Sequence, residues 1–226
     1  MMNRNMSDNN CFQTEGWALL ERWLNGMMKH QLDRTFGEFL AGGLLCPSCA
    51  HIHGRCADAV PAFLYAYERT GDNKYLEAAI ALQDWSNRNV TLKDGSWIND
   101  VNGMWQGITV FGAFALSESL RLFGHLLPES VAAQWRQRLT AACDFLMDFM
   151  RIDTANINYP LSTGATLSSA SLVLNRAEYG ARGRELAHAG LAYFSDNLLI
   201  FGEGRPQNGF SHRGYRPVDL GYNVEE

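Results

Sequence analysis

The segment Cys46-Pro47-Ser48-Cys49-Ala50-His51-Ile52-His53-Gly54-Arg55-Cys56 holds three of the chain's five cysteines and two of its six histidines. Two thiolates separated by two residues can clasp one tetrahedral ion, and Pro47 suits the tight turn between them. Cys46 and Cys49 are therefore candidate metal ligands. His51, His53 or Cys56 could complete the set, and structural zinc is the expected ion. No second Cys-x-x-Cys half occurs, and no βαβ pattern surrounds this one to support a redox role. A loop with buried thiols and one capping histidine is the alternative. Histidine is the side chain that can move protons near neutral pH, which makes His53 a candidate proton carrier. Arg55 has the planar fork that grips a carboxylate in two-pronged fashion, although pairing with Asp58 would be a purely structural use of it.

Aromatic and amide groups mark two further stretches. Asp94-Gly95-Ser96-Trp97-Ile98-Asn99-Asp100 and Met104-Trp105-Gln106-Gly107 make a polar, aromatic connection between helices. Trp105 reads as a stacking platform for a sugar ring, whereas Trp97 leans toward core packing. Asn156-Ile157-Asn158-Tyr159-Pro160 precedes another helix. The Asn158 amide can neutralise a uronic acid carboxylate without adding charge, and a tyrosine such as Tyr159 is an acid or base once its pKa is lowered. Equally, Asn158 would serve to cap that helix and Pro160 to start it. Near the end, Gly202-Glu203-Gly204 and the run from Arg213 to Asn223 set charged groups and tyrosines on Gly-rich backbone. Glu203, Arg213 and Arg216 are candidate substrate-binding residues there, with a solvated loop as the alternative.

Such groups need elements to position them, and the apolar spacing is helical nearly throughout. From Phe12 to Leu32, the residues Trp17, Leu20, Trp23, Leu24, Met27 and Met28 recur at three- and four-residue steps, which predicts one amphipathic helix. A loop rich in Gly, Cys and His follows, from about Gly42 to Arg55. A helical pair comes next: Val60, Phe63, Leu64 and Tyr67 form one stripe, and Tyr75, Leu76, Ala79, Leu82 and Trp85 the other. Thr70-Gly71-Asp72 breaks between them, Gly71 taking left-handed geometry and Asp72 capping the return. A second pair is expected over Trp105–Phe123 and Val131–Met150, and a third over Pro160–Leu174 and Tyr179–Phe194. The turns near positions 71, 126 and 176 recur at roughly fifty-residue steps, the spacing of stacked αα-hairpins.

The fold expected is therefore all-α: an (α/α) toroid of antiparallel helical hairpins, one domain over residues 1–226. A closed toroid takes about six hairpins and this chain supplies three to four, so the domain is expected to be incomplete at its C-terminal end. Net charge is -5 and pI about 5.7, against the basic surface that nucleic-acid binding requires. A few local arginines would still accommodate an acidic sugar. No apolar run is long enough to span a bilayer, and the first residues lack the apolar stretch of a signal peptide. The expected location is cytoplasmic, or periplasmic if the start is mis-assigned. The oligomeric state is not legible.

The chain resembles the heparinase II/III-like family and related toroid polysaccharide lyases over roughly residues 50–226. The resemblance rests on Asn156-Ile157-Asn158-Tyr159 followed by a helix, on the Arg182-Gly183-Arg184-Glu185 helix, and on the Gly-rich terminal loop with Asp219 and Tyr222. It implies a lyase that cleaves uronate-containing glycans by β-elimination. Asn158 would neutralise the carboxylate at C6, acidifying the C5 proton, and Tyr222 would be the acid or base. Tyr159 stands where many relatives carry His or Trp, and the later His and the following β-sandwich domain of relatives have no counterpart. Two other readings stay open. One is a glycoside hydrolase on the same toroid, which needs a carboxylate pair drawn from Asp58, Asp100, Glu203 and Asp219. The other is a non-catalytic helical carbohydrate-binding or scaffold module.

Overall fold

A computed structural model describes residues 6–99, 103–201, 206–207 and 210–211. Seven α-helices dominate these residues: α1 (Met6–Lys29), α2 (Val60–Thr70), α3 (Asn73–Asn89), α4 (Thr109–Phe123), α5 (Glu129–Phe149), α6 (Asn158–Leu174) and α7 (Ala177–Gly190). A short antiparallel ladder, β1 (Pro206–Gln207) with β2 (Phe210–Ser211), follows within the stretch expected to be loop. No described helix is long and apolar enough to cross a membrane.

The three expected hairpins form as α2–α3, α4–α5 and α6–α7. Gly71 closes α2 in the left-handed region (φ 70°), with its N–H on the Tyr67 carbonyl, and Asp72 accepts from the Lys74 N–H to cap α3. Asn175 plays the glycine role at the end of α6 (φ 53°), a conformation Asn tolerates better than most side chains. Boundaries shift by a few residues. A 3-10 turn, Gln106–Ile108, separates Trp105 from α4, and a second, Leu191–Tyr193, ends the return of the third pair.

The hairpins pack with α2, α4 and α6 as an inner layer and α3, α5 and α7 outside. Composition explains the sorting. Among its seventeen residues α6 carries no charged side chain, and its Thr163, Thr166 and Ser168 hydroxyls donate back to carbonyls one turn earlier. α5 and α7 carry Arg and Asp or Glu on their outer faces. Small residues let α6 and α7 touch backbone to backbone: a Cβ added at Gly183 would lie 2.7 Å from the Gly164 carbonyl oxygen. The core runs between the layers through fully buried Phe63, Leu82, Leu116, Trp135, Leu139, Leu146 and Tyr179.

α1 lies across α2, burying Leu24 and packing Trp17, Leu20, Met27 and Met28 on the core. Trp23, expected on that stripe, is 60% exposed. It sits one residue, and so about 100°, away from Leu24 on the helix surface. Trp97 and Trp85 are core, as the packing alternative has it for Trp97. The guanidinium of buried Arg138 lies 3.6 Å from the Trp97 ring centre and donates to the Gly95 carbonyl.

Candidate active site on the inner-helix rim

Arg55, Trp105, Asn158 and Tyr159 each sit at or just before the start of an inner helix. Arg55 is in the 3-10 turn Gly54–Ala59 that leads into α2, Trp105 precedes the turn into α4, and Asn158 and Tyr159 open α6. The inner helices run side by side in one direction: Val110 and Glu118 on α4 meet Thr166 and Ser169 on α6 in the same order. Their N-terminal ends therefore share one rim.

Aromatic rings join these residues. The Arg55 guanidinium lies 4.2 Å from the Phe111 ring centre, and Phe111 meets Tyr159 edge-on at 5.3 Å. Tyr159 in turn meets Trp105 at 5.7 Å, and Trp105 meets Phe149 at 5.8 Å. Trp105 is 42% exposed, so part of its indole faces solvent as a sugar platform requires. A Cβ at Gly107 would fall 2.4 Å from the Trp105 ring, so glycine there is what lets the indole lie against the backbone. The turn is held from beneath. Gln106 donates to Asp94 Oδ2 (2.7 Å) and to the Ser96 hydroxyl (2.8 Å), and the Ser96 hydroxyl and N–H keep the Asp94 carboxyl below its usual range.

Sequence reasoning missed Phe111, which bridges Arg55 to Tyr159. It falls inside the apolar run of α4, where periodicity alone reads it as core.

Asn158 does not cap its helix. Ile157 occupies the cap position, without a side-chain bond, and Asn158 is the first helical residue. Its side-chain oxygen is buried and has no hydrogen-bond partner among the described residues. Such a group costs about 1–3 kcal/mol, which a ligand or water can return. A half-turn of the amide exchanges oxygen for the NH2 donors at little steric cost.

The electrostatics of the rim follow from the same helix ends. α2, α4 and α6 start at Ala59, Ile108 and Ile157, with no side-chain cap bond and no acidic residue in the first turn. The outer helices are compensated by Asp72, Glu129 and Glu178. The Val60 N–H donates to the Ala57 carbonyl and the Thr109 N–H to the Gln106 and Gly107 carbonyls of the preceding 3-10 turns, and Asp58 stands just before α2, so only part of a helix-end charge of about +0.5 is left to the rim. Arg55 adds a full charge. Its Nε donates to Asp58 at 2.8 Å, so the structural pairing does form, while its two terminal amino groups carry no hydrogen bond among the described residues. Burial raises the Asp58 carboxyl above its usual range, and Arg55 opposes that rise.

The remaining expectations divide. His53 does not join the aromatic line: its Nε2 is 3.1 Å from Cys49 Sγ, in the cysteine turn. It shares with Arg55, His30, Cys46 and Cys56 an open recess of about 410 Å³ beside α1. Ligand atoms of Cys46, Cys49 and His53 all lie within 4.8 Å of one another, whereas Cys56 is apart from them. Burial pushes the Cys56 thiol up to about 12, and N–H groups of Cys49 and Ser48 lower that of Cys46. Glu203, Arg213, Arg216 and Tyr222, with Asp100 and Asp219, lie outside the described residues.

Comparison with known proteins follows the same lines. The Ulvan lyase N-terminal domain family matches residues 20–226. A broad-specificity ulvan lyase from Formosa agariphila is 40% identical over 211 residues, which is 92% of this chain and 33% of that protein. This chain therefore spans about a third of the length of that curated relative. Among solved structures, a possible member of the GH105 family from Salmonella enterica superposes with TM-score 0.66 at 14% identity, over 89% of this chain and 60% of that one. A polysaccharide lyase gives 0.57 at 13% identity, over 74% and 55%. A D-mannose isomerase gives 0.55 at 14%, over 92% and 58%. At these identities the structural matches speak to the fold, a helical toroid.

Proposed function

The chain belongs to the Ulvan lyase N-terminal domain family, and from that premise we propose that it is the toroid part of a polysaccharide lyase acting on ulvan or a similar uronate-containing glycan. The observation that carries the reading is the rim itself. Three helix starts without side-chain caps, Arg55, and the unpartnered Asn158 amide lie on one rim with the exposed Trp105. That combination suits a sugar ring bearing a carboxylate. β-Elimination needs the carboxylate at C6 neutralised so that the C5 proton becomes acidic, and amide and guanidinium donors fixed in place supply that stabilisation. In this reading Asn158 and Arg55 hold the carboxylate, Trp105 stacks on a neighbouring ring, and a tyrosine transfers the proton. Tyr159 lies on the rim beside Trp105, and Tyr222 is the second candidate. Kinship with the heparinase II/III-like lyases in particular is part of this proposal. Support for it is the Asn158-Tyr159 opening of α6.

The hydrolase alternative draws less from the geometry. Of its four candidate carboxylates only Asp58 lies among the described residues, and it is tied to Arg55.

The test is to mix the chain with ulvan and other uronate polysaccharides. Cleavage by elimination leaves a C4–C5 double bond conjugated with the carboxylate, read by its ultraviolet absorbance, and titration calorimetry reads binding of uronate oligosaccharides in parallel. Binding with rising absorbance is the expected result. New reducing ends without the absorbance would transfer the assignment to the hydrolase, and absence of both cleavage and binding would sink the proposal.

A further inference from the structure

Beside the rim, the segment from Leu45 to His53 folds into a knuckle that the lyase reading does not use. Leu45 pairs with Ile52 across an antiparallel bridge, the Cys46 N–H donates to the His51 carbonyl (2.8 Å), and the Ala50 N–H donates to the Cys46 carbonyl (2.9 Å). Ala50 completes the turn in the left-handed region, φ 55°. A side chain other than Gly, Asn or Asp is held there at a cost of about 1–3 kcal/mol, so the turn must be fixed by something. The effect of the turn is to bring three ligands of two types together. Cys46, Cys49 and His53 each offer an atom within 4.8 Å of the others, with Cys49 Sγ and His53 Nε2 at 3.1 Å.

We propose that Cys46, Cys49 and His53 bind one zinc ion, with solvent in the fourth position, and that this ion fastens the segment leading to Arg55. Tetrahedral zinc with sulfur at about 2.3 Å and nitrogen at about 2.0–2.1 Å sets ligand atoms roughly 3.5–3.8 Å apart, which these side chains reach by adjustments of about 1 Å or less. The donor set, two soft thiolates and an imidazole, selects zinc over calcium or magnesium, which prefer oxygen. Cys49 is exposed and Cys46 and His53 are half-buried, so the ion can enter and a water can complete its shell. The segment continues directly into Gly54, where a Cβ would lie 2.3 Å from the Ile98 carbonyl oxygen, and then into Arg55. Metal at the knuckle thus clamps one end of a segment whose other end is already wedged against the 98–99 backbone. The inference stands independently of the lyase reading.

The experiment is made on the whole 226-residue chain, purified without a tag under reducing conditions, by measuring zinc per chain and then titrating the stripped protein with zinc and with cobalt. One equivalent is expected, with the intense charge-transfer and visible bands of tetrahedral cobalt thiolate. Cys49→Ser and His53→Gln should each weaken binding at least tenfold while keeping the helical circular dichroism; Cys56→Ser should bind as the parent does. Stripping the metal should speed amide exchange over residues 45–56 and leave the helices protected. Failure of the reduced chain to take up zinc, or equal loss in Cys56→Ser, would overturn the proposal, as would retention in both ligand variants.

Discussion

At the scale of single residues, the rim predicts separable effects. Replacing Asn158 by Ala removes the amide that would face the carboxylate, and elimination should fall by about 100- to 1000-fold, the usual consequence of losing one such donor. The same substitution removes a buried, unpartnered oxygen, so thermal stability should hold or rise, a combination that a purely structural Asn would not give. Trp105→Ala should weaken binding of uronate oligosaccharides by about tenfold, or ~1.4 kcal/mol, measured by calorimetry. Arg55 and Asp58 make a pH prediction. The Asp58 carboxyl is already raised by burial, with Arg55 pulling it down, so Arg55→Ala should raise it further. A carboxyl whose folded-state pKa is raised contributes stability that is fully present below the usual carboxylate range and lost as pH rises through the folded value. Chemical denaturation of Arg55→Ala should therefore show its largest deficit at neutral pH and a smaller one in acid. An equal deficit at every pH would separate Arg55 from Asp58.

The elements decide how close those residues come. α6 and α7 approach through Gly164 and Gly183, and a side chain at Gly183 would strike backbone and the Ser168 hydroxyl. Gly183→Ala should cost about 1–3 kcal/mol by forcing the pair apart. Gly16→Ala, in a helix with open space around the position, should instead gain about 0.5–1 kcal/mol. Denaturant midpoints of the two variants check both signs. Helix pairing was legible because each hairpin turn carries its own local chemistry: Gly71 and Asp72 act through their own backbone and side chain, without help from a partner. The ends of α4 and α7 were less legible. There, 3-10 turns at Gln106–Ile108 and Leu191–Tyr193 are set by the contacts of Gln106 with Asp94 and of Tyr193 with the Ile152 carbonyl. Periodicity contains no record of such contacts.

Across the whole molecule, a two-layer stack of hairpins places all three inner-helix starts on one edge, which is why residues a hundred positions apart in sequence meet on one rim. Its stability rests on the seam between layers. Trp135→Ala should cost about 3–5 kcal/mol without altering the rim directly, because Trp135 is fully buried on α5. Composition, helical period and turn residues were enough by themselves to establish an all-α stack of hairpins and to nominate Arg55 and Trp105, since each signal is local and survives without a partner; Asn158 and Tyr159 were nominated mainly by the resemblance to toroid polysaccharide lyases. Tertiary structure alone decided that these four share a rim through Phe111, that Trp23 faces solvent, and that His53 sits with Cys49. It also decided that Asn158 leaves its helix uncapped. Those facts depend on which surfaces meet, and a contact between distant residues is a property of packing that no single stretch of chain encodes.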